Sequence, residues 1–309
     1  MGSQIRTDSR VVLLKPETTY AADATPTNTA NAIRLMNVKE SFFEGDVVPF
    51  EELGLGMGNA PADLVGVHGI VEFDFELAGS GTAGTAPAYG PILRACAMAE
   101  TINAGTDVTY TPIGASQEAV SLYYWSGPNK TILLGCRGDA QLTFEQNKKA
   151  KGHAKLWGLK LNAAAAVAQP TPTLTAWKRA LYCTNANVSC ALDGVTPIVK
   201  SLGFNFGNQC AYLERMGRLE IQQSDRQPNF TALIEDLSIA TKDWRARVNS
   251  QSFGSLTFQL GQTAGSIVQL NAGACQLQPM SEDKDGIDTM LNQTWKVMRG
   301  SPDWSLVVK

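Results

Sequence analysis

The run Ile70-Val71-Glu72-Phe73-Asp74-Phe75-Glu76-Leu77 constrains this chain more than any other stretch. Val71, Phe73, Phe75 and Leu77 point to one side of an extended backbone, and Glu72, Asp74 and Glu76 to the other. Strict alternation of this kind specifies a strand with one buried and one solvated face. The solvated face of this strand is wholly acidic. The residues that follow, Ala78 to Pro87, are small and Gly-rich and read as a loop. Tyr89 to Met98 then reads as a short helix, with Pro91 suited to its first turn. An acidic-faced strand, a small-residue loop and one helix suit a wall past which a polyanion slides. They do not suit a catalytic cleft.

Further strands are expected at Val11–Leu14, Ala32–Val38, Val108–Ile113, Ala119–Trp125, Lys130–Cys136, Ala140–Phe144 and Ala154–Leu161. Ser126-Gly127-Pro128-Asn129 supplies a turn between two of them. Thr18–Asn31 reads as an ordered, irregular arm, and Gly54–Pro61 as a long loop. Asn162–Thr173 lacks periodicity and ends in prolines, which marks a boundary. The expected division is therefore residues 1–162, a linker over 163–174, and residues 175–309. In the second half, Ile198–Phe206, Gly217–Gln222 and Asn229–Leu237 read as strands and Thr241–Asn249 as a short helix. A hairpin at Ser255–Leu260 and Ser266–Asn271 follows, then strands at Thr289–Met298 and Trp304–Val308. Each half is mostly short strands with one short helix before a hairpin. That grammar hints at two tandem β modules, although residue identity between the halves does not prove duplication.

At 309 residues the chain is long enough for two modest domains. Only 18% of it is charged. Sparse charge with abundant small polar residues fits a surface partly meant for other subunits, and equally a Gly-rich all-β protein. The net charge of -3 argues against tight nucleic-acid binding, which runs on clustered Lys and Arg. The one dense basic stretch, Lys148–Lys155, lacks interleaved aromatics and reads as a solvated strand or hairpin. The six cysteines form no C-x-x-C pair and there are only two histidines, which argues against a structural zinc site. Cys183 and Cys190 are placed to face each other across a hairpin, and in a reducing compartment they stay thiols. Val11–Leu14 is too short for a signal core or a membrane span, so a cytoplasmic site of synthesis is expected and no membrane partner.

Three motifs invite chemistry and each fails. Gly79-Ser80-Gly81-Thr82-Ala83-Gly84 matches G-x-G-x-x-G after a strand and before a helix. The strand alternates, whereas a dinucleotide-binding first strand is buried on both faces, and the helix begins too late to hold a pyrophosphate. Arg137-Gly138-Asp139 reads as a turn leading into a strand. Ser281–Asp288 resembles a calcium loop, but Asn292 stands where the bidentate glutamate is needed. His68 and His153 sit in no nucleophile constellation. No enzyme, cofactor or metal is expected.

Several segments resemble the tail tube (major tail) proteins of long-tailed bacteriophages. The likeness is sharpest over Leu14–Thr27 (Leu-Lys-Pro-Glu-Thr-Thr-Tyr-Ala-Ala-Asp-Ala-Thr-Pro-Thr) and Glu76–Cys96. It recurs at Gly203–Gln209 and Asp283–Ile287. The family often carries Gly where this chain has Ala21. The resemblance implies an antiparallel β-sandwich or barrel with a flanking helix. Copies would join their inner sheets into rings, and the rings would stack into a hollow tube that conducts double-stranded DNA. Glu72, Asp74 and Glu76 are then candidates to line the lumen. Thr18, Thr19, Tyr20, Asp23, Leu55 and Met57 are candidates for ring stacking. The implied partners are the chain itself, a tape-measure protein, a tail terminator and distal tail or baseplate proteins, with DNA only in transit. Assembly would take place in a bacterial cytoplasm, and the product would be the virion tail. Two modules per chain favour three copies per ring, with pseudo-sixfold symmetry, over six. The alternative is a β-sandwich binding or adhesion module of a tail tip or baseplate, with Trp125 and Trp177 as ligand-site suspects.

Overall fold

The computed structural model describes residues 9–50, 58–300 and 302–309. Among these residues the fold is mainly β, with two sheets and two short helices, consistent with a β-sandwich. The alternating strand around Phe73 is β3 (Ala62–Glu76), with Val71, Phe73 and Phe75 buried. Its neighbours are β2 (Met36–Pro49) and β8 (Lys151–Ala166), and β7 (Asn129–Glu145) lies beyond β8. The strand β1 (Arg10–Pro16) pairs antiparallel with β6 (Val120–Ser126), and β6 pairs with the first half of β7. Helix α1 (Gly90–Ala95) carries Pro91 in its first turn and buries Ile92 and Leu93. The hairpin β4 (Met98–Asn103) and β5 (Asp107–Pro112) follows it.

In the second half, β9 (Val188–Leu192), β10 (Val199–Asn205), the hairpin β11 (Asn208–Arg215) and β12 (Arg218–Arg226), and β13 (Asn229–Glu235) come first. Helix α2 (Trp244–Ser250) is capped by Asp243, whose carboxylate accepts from the Ala246 amide. The remaining strands are β14 (Phe253–Leu260), β15 (Val268–Leu277), β16 (Ser281–Asp285), β17 (Asp288–Val297) and β18 (Trp304–Val308).

The strand order recurs between the halves. The first runs β2-β3-β8-β7, with β6 and then β1 continuing from β7. The second runs β10-β13-β17-β15, with β14 and then β9 continuing from β15. Each half places its helix between corresponding strands, and each inserts a hairpin between its first two sheet strands. Two strand pairings join the halves into one sheet. The end of β7 pairs with β10, from Gln141 opposite Asn205 to Glu145 opposite Ser201, and β18 pairs with β5. One large core spans both halves. In it, the rings of Phe204 in β10 and of Phe206 just after it each lie 4.6 Å from that of Trp304 in β18.

Several expectations shift. Lys130–Cys136 and Ala140–Phe144 are not separate strands but one, β7, bent where the register slips between Leu134 and Arg137. Gly135 sits there at φ +60, and a Cβ would meet the Tyr20 ring at 2.8 Å. Arg137-Gly138-Asp139 therefore lies within a strand rather than in a turn. The expected strand at Ala32–Val38 begins only at Met36 and runs on to Pro49. The linker over 163–174 starts too early, because β8 continues to Ala166, paired with Asn129. Among the described residues no helix is long and apolar enough to cross a membrane.

Phe204 packs on Phe206, Phe230 and Trp304 and stands opposite Leu142 of the first half, so its truncation leaves a cavity in the shared core. Phe204→Ala is expected to destabilise the protein by about 3–5 kcal/mol in chemical denaturation, with both halves unfolding in one transition. Two separated transitions would show that the halves do not share a core.

Candidate functional site

The solvated face of the β2-β3-β8-β7 sheet gathers the acidic residues that stand out in the sequence. Antiparallel register sets Glu72 opposite Lys155, Asp74 opposite His153 and Glu76 opposite Lys151. Side chains directly opposite share a face, so the acidic row of β3 lies beside the basic row of β8. Lys155 Nζ reaches Glu72 at 2.8 Å, His153 Nδ1 reaches Asp74 at 2.7 Å, and Lys149 Nζ reaches Glu76 at 2.7 Å. Asn37 of β2 donates to the second oxygen of Asp74, and the Ala180 amide donates to the second oxygen of Glu76. The strand's acidic face is thus one side of a ladder of two Lys–carboxylate ion pairs and one His–carboxylate contact. The stretch Lys148–Lys155, read as a solvated strand or hairpin, supplies the other side.

The hydrogen bond from Lys155 holds the Glu72 carboxyl below its ordinary value. Burial pushes Asp74 and Glu76 the other way. The bonds from Asn37 and His153 to Asp74, and from Lys149 and Ala180 to Glu76, outweigh it, so both also titrate low. Beyond Lys155 on the same face lies Asp139 of β7. Burial raises its pKa, against a 2.8 Å hydrogen bond from the Asn208 amide. In the second half the corresponding face carries Ser201, Gly203 and Asn205 on β10, Thr231, Leu233 and Glu235 on β13, and Asn292, Thr294 and Lys296 on β17. Most of these are short and uncharged.

The candidate arm residues fall into three groups. Tyr20 and Asp23 are engaged within the chain. The Ile221 amide donates to the Tyr20 hydroxyl at 2.6 Å, and the Arg137 guanidinium lies 4.6 Å from the ring. Burial pushes the Tyr20 phenol up to about 12. Tyr123 donates to Asp23 at 2.5 Å. Glu17 anchors the start of the arm by accepting from the amides of Ala21 and Gly135 and from the Ser121 hydroxyl. Thr18 and Thr19 are exposed beside this anchor. Leu55 and Met57 lie outside the described residues.

The glycine motif does structural work. Gly81 donates its amide to the Gly265 carbonyl at 2.8 Å, and a Cβ on Gly79 would lie 2.1 Å from that same oxygen. The loop is Gly-rich because two backbones touch there. Trp125 and Trp177 are buried, and the Trp177 indole donates to the Ala32 carbonyl. His68 stacks on Tyr212 at 4.8 Å. Among the described residues no three His, Cys, Asp or Glu side chains gather as metal ligands. All six cysteines are thiols, and burial pushes Cys183 up to about 11 and Cys190 to about 12. No family model matches the chain, and a search of curated proteins finds no match.

The ladder yields a pH prediction. Glu72, Asp74 and Glu76 bind protons less tightly folded than unfolded, so their contribution is complete above the ordinary carboxylate range. It is lost as pH falls below about 4. Paired charges near a surface contribute about 0–1 kcal/mol each. The triple variant Glu72→Gln, Asp74→Asn, Glu76→Gln is expected to lose less stability than the parent between pH 7 and pH 3, measured as urea midpoints. An identical loss in both proteins would show that the ladder does not contribute.

Proposed function

We propose that this protein is a structural subunit that closes into rings of three copies, and that the rings stack into a hollow tube for double-stranded DNA. The observation that carries this reading is the recurrence of strand order across one continuous sheet. Within the chain, the end of β7 pairs with β10 and so joins the first half to the second. The counterpart of that β7 segment is β16, which likewise ends at the turn leading into the next strand and pairs only with β17. The counterpart of β10 is β2, which pairs only with β3. Two of the chain's open edges, β16 and β2, thus match its own internal junction. Open edges invite pairing with another chain, and a head-to-tail contact that closes gives a ring.

The charge ladder supports a polyanion-conducting wall in a modified form. His153 and Lys155 of β8, and Lys149 just before it, are held by the carboxylates of β3, which leaves phosphates fewer unpaired cations to settle on. In this reading the tape-measure, terminator and distal tail or baseplate proteins meet the tube at its core and ends. The subunit assembles in a bacterial cytoplasm and works in the virion tail without a cofactor.

Electron microscopy of the purified protein at rising concentration is expected to show stacked rings or hollow tubes. Compact particles that never stack would instead favour the binding-module reading. A second test uses the triple neutral variant, which releases Lys149, His153 and Lys155 from their partners. Its tubes are expected to retain short DNA duplexes at low salt and release them at high salt, whereas parent tubes retain none. Equal behaviour of the two would remove this face from the lumen.

A further inference from the structure

We propose that the arm formed by β2 and β3 docks on the second half of a neighbouring copy. Its apolar face would cover the surface made by Gln251–Phe253 and Gln276–Met280. This rests on the ring reading above and adds a second contact to the edge pairing described there.

The template is a contact inside the chain. The β11–β12 hairpin is the second half's counterpart of the β2–β3 arm, since both lie between the first two sheet strands of their half. It lies across the first half. Tyr212 stacks on His68, and the Ile221 side chain is fully buried. The Gln223 amide donates to the carbonyls of Ala95 and Gly138, and the Asn208 amide to those of Cys96 and Gly138. The Arg137 guanidinium donates to the Ile221 carbonyl at 3.0 Å. The hairpin therefore covers the C-terminal end of α1 and the Arg137–Gly138 stretch of β7, and Cys96, Ala97 and Met98 are buried.

The matching surface of the second half is open. Gln251 and Ser252, at the C-terminal end of α2, are exposed, and so is Phe253, at 60%. Counting back from the hairpin ends Glu145 and Asp285, Arg137–Gly138 corresponds to Leu277–Gln278, within Gln276–Met280. Pro279 of this stretch is exposed.

The arm itself lacks a cover. Val47 lies opposite Leu64, and Pro49 opposite Ala62. Residues directly opposite share a face, so one face of the arm is a ladder of four apolar side chains, all exposed. The other face sets Asp46 opposite Val65 and Val48 opposite Asp63, mixing carboxylates with valines. A two-stranded ribbon is marginal alone, and an exposed apolar face of this kind marks an interaction surface. The arm meets its own second half only at its base, where Tyr212 of β11 lies against Gly66 and His68, and the rungs Val47–Leu64 and Pro49–Ala62 beyond that point stay exposed. A second copy continuing the sheet past β2 would bring its second half to the arm, as the first half is brought to β11–β12.

The test places a benzophenone photo-crosslinking residue at Val47 in the full chain. Light- and heavy-nitrogen copies are mixed before assembly, so that links between chains are distinguished from links within one. Crosslinks between copies, mapping to Gln251–Phe253 or Gln276–Met280, are expected. Assembled rings whose crosslinks fall within one chain or on other segments overturn this proposal and leave the ring reading standing. A protein that stays monomeric at every concentration overturns both. In parallel, Val47→Asp with Leu64→Asp is expected to keep the parent's circular dichroism and melting temperature while raising the assembly threshold at least ~10-fold, the equivalent of about 1.4 kcal/mol. An unchanged threshold overturns the proposal.

Discussion

The rest of the structure depends on the double engagement of β7. Its first half pairs with β6 and its last residues with β10, and a bulge between Leu134 and Arg137 makes the change of direction possible. Gly135 allows that bend, and the Tyr20 ring fills the space a side chain would have taken. Through β7 the two halves become one sheet on one core, and their recurrent strand order is locked into a fixed relation. The β11–β12 hairpin reinforces the same point by bonding to Arg137 and Gly138.

Sheet register then decides the electrostatics. A slip of one residue between β3 and β8 would turn every charged side chain on one strand into the core. The buried rows Val71–Phe73–Phe75 and Gly152–Ala154–Leu156 forbid it. With register fixed by the apolar face, Glu72 meets Lys155 and Asp74 meets His153 on the other. Glu76, opposite Lys151 in register, takes its ion pair from Lys149 at the turn. The result is a face on which each of these three carboxylates meets a basic partner. It differs from the uniformly acidic wall that β3 suggests when read alone.

The sequence is most legible where one face of a strand is buried. Alternation around Phe73 locates the end of β3, and Pro91 marks the start of α1. Legibility fails where no face is buried. Met36–Pro49 lacks a clean period because half of it is a solvent-exposed arm, and Ser281–Asp285 has no apolar residue at all, so it reads as an acidic turn. Both are strands held by backbone pairing to a neighbour. They are also open edges of the sheet, where alternation carries no information about a partner outside the chain. The pairing of acidic with basic residues was hidden for a related reason: β3 and β8 are separated by the helix and four strands, and only the fold sets them side by side. The same holds for Tyr20 and Asp23, whose partners Ile221 and Tyr123 are remote in sequence.

The central claim is that the chain's internal β7–β10 junction is repeated between copies. Cryo-electron microscopy of assembled rings tests it most directly. The account predicts threefold rotational symmetry, β16 of each copy paired with β2 of the next, and the Glu72–Lys155 face turned toward the lumen. Six whole chains per ring, or a ring in which β2 and β16 remain unpaired, would contradict it.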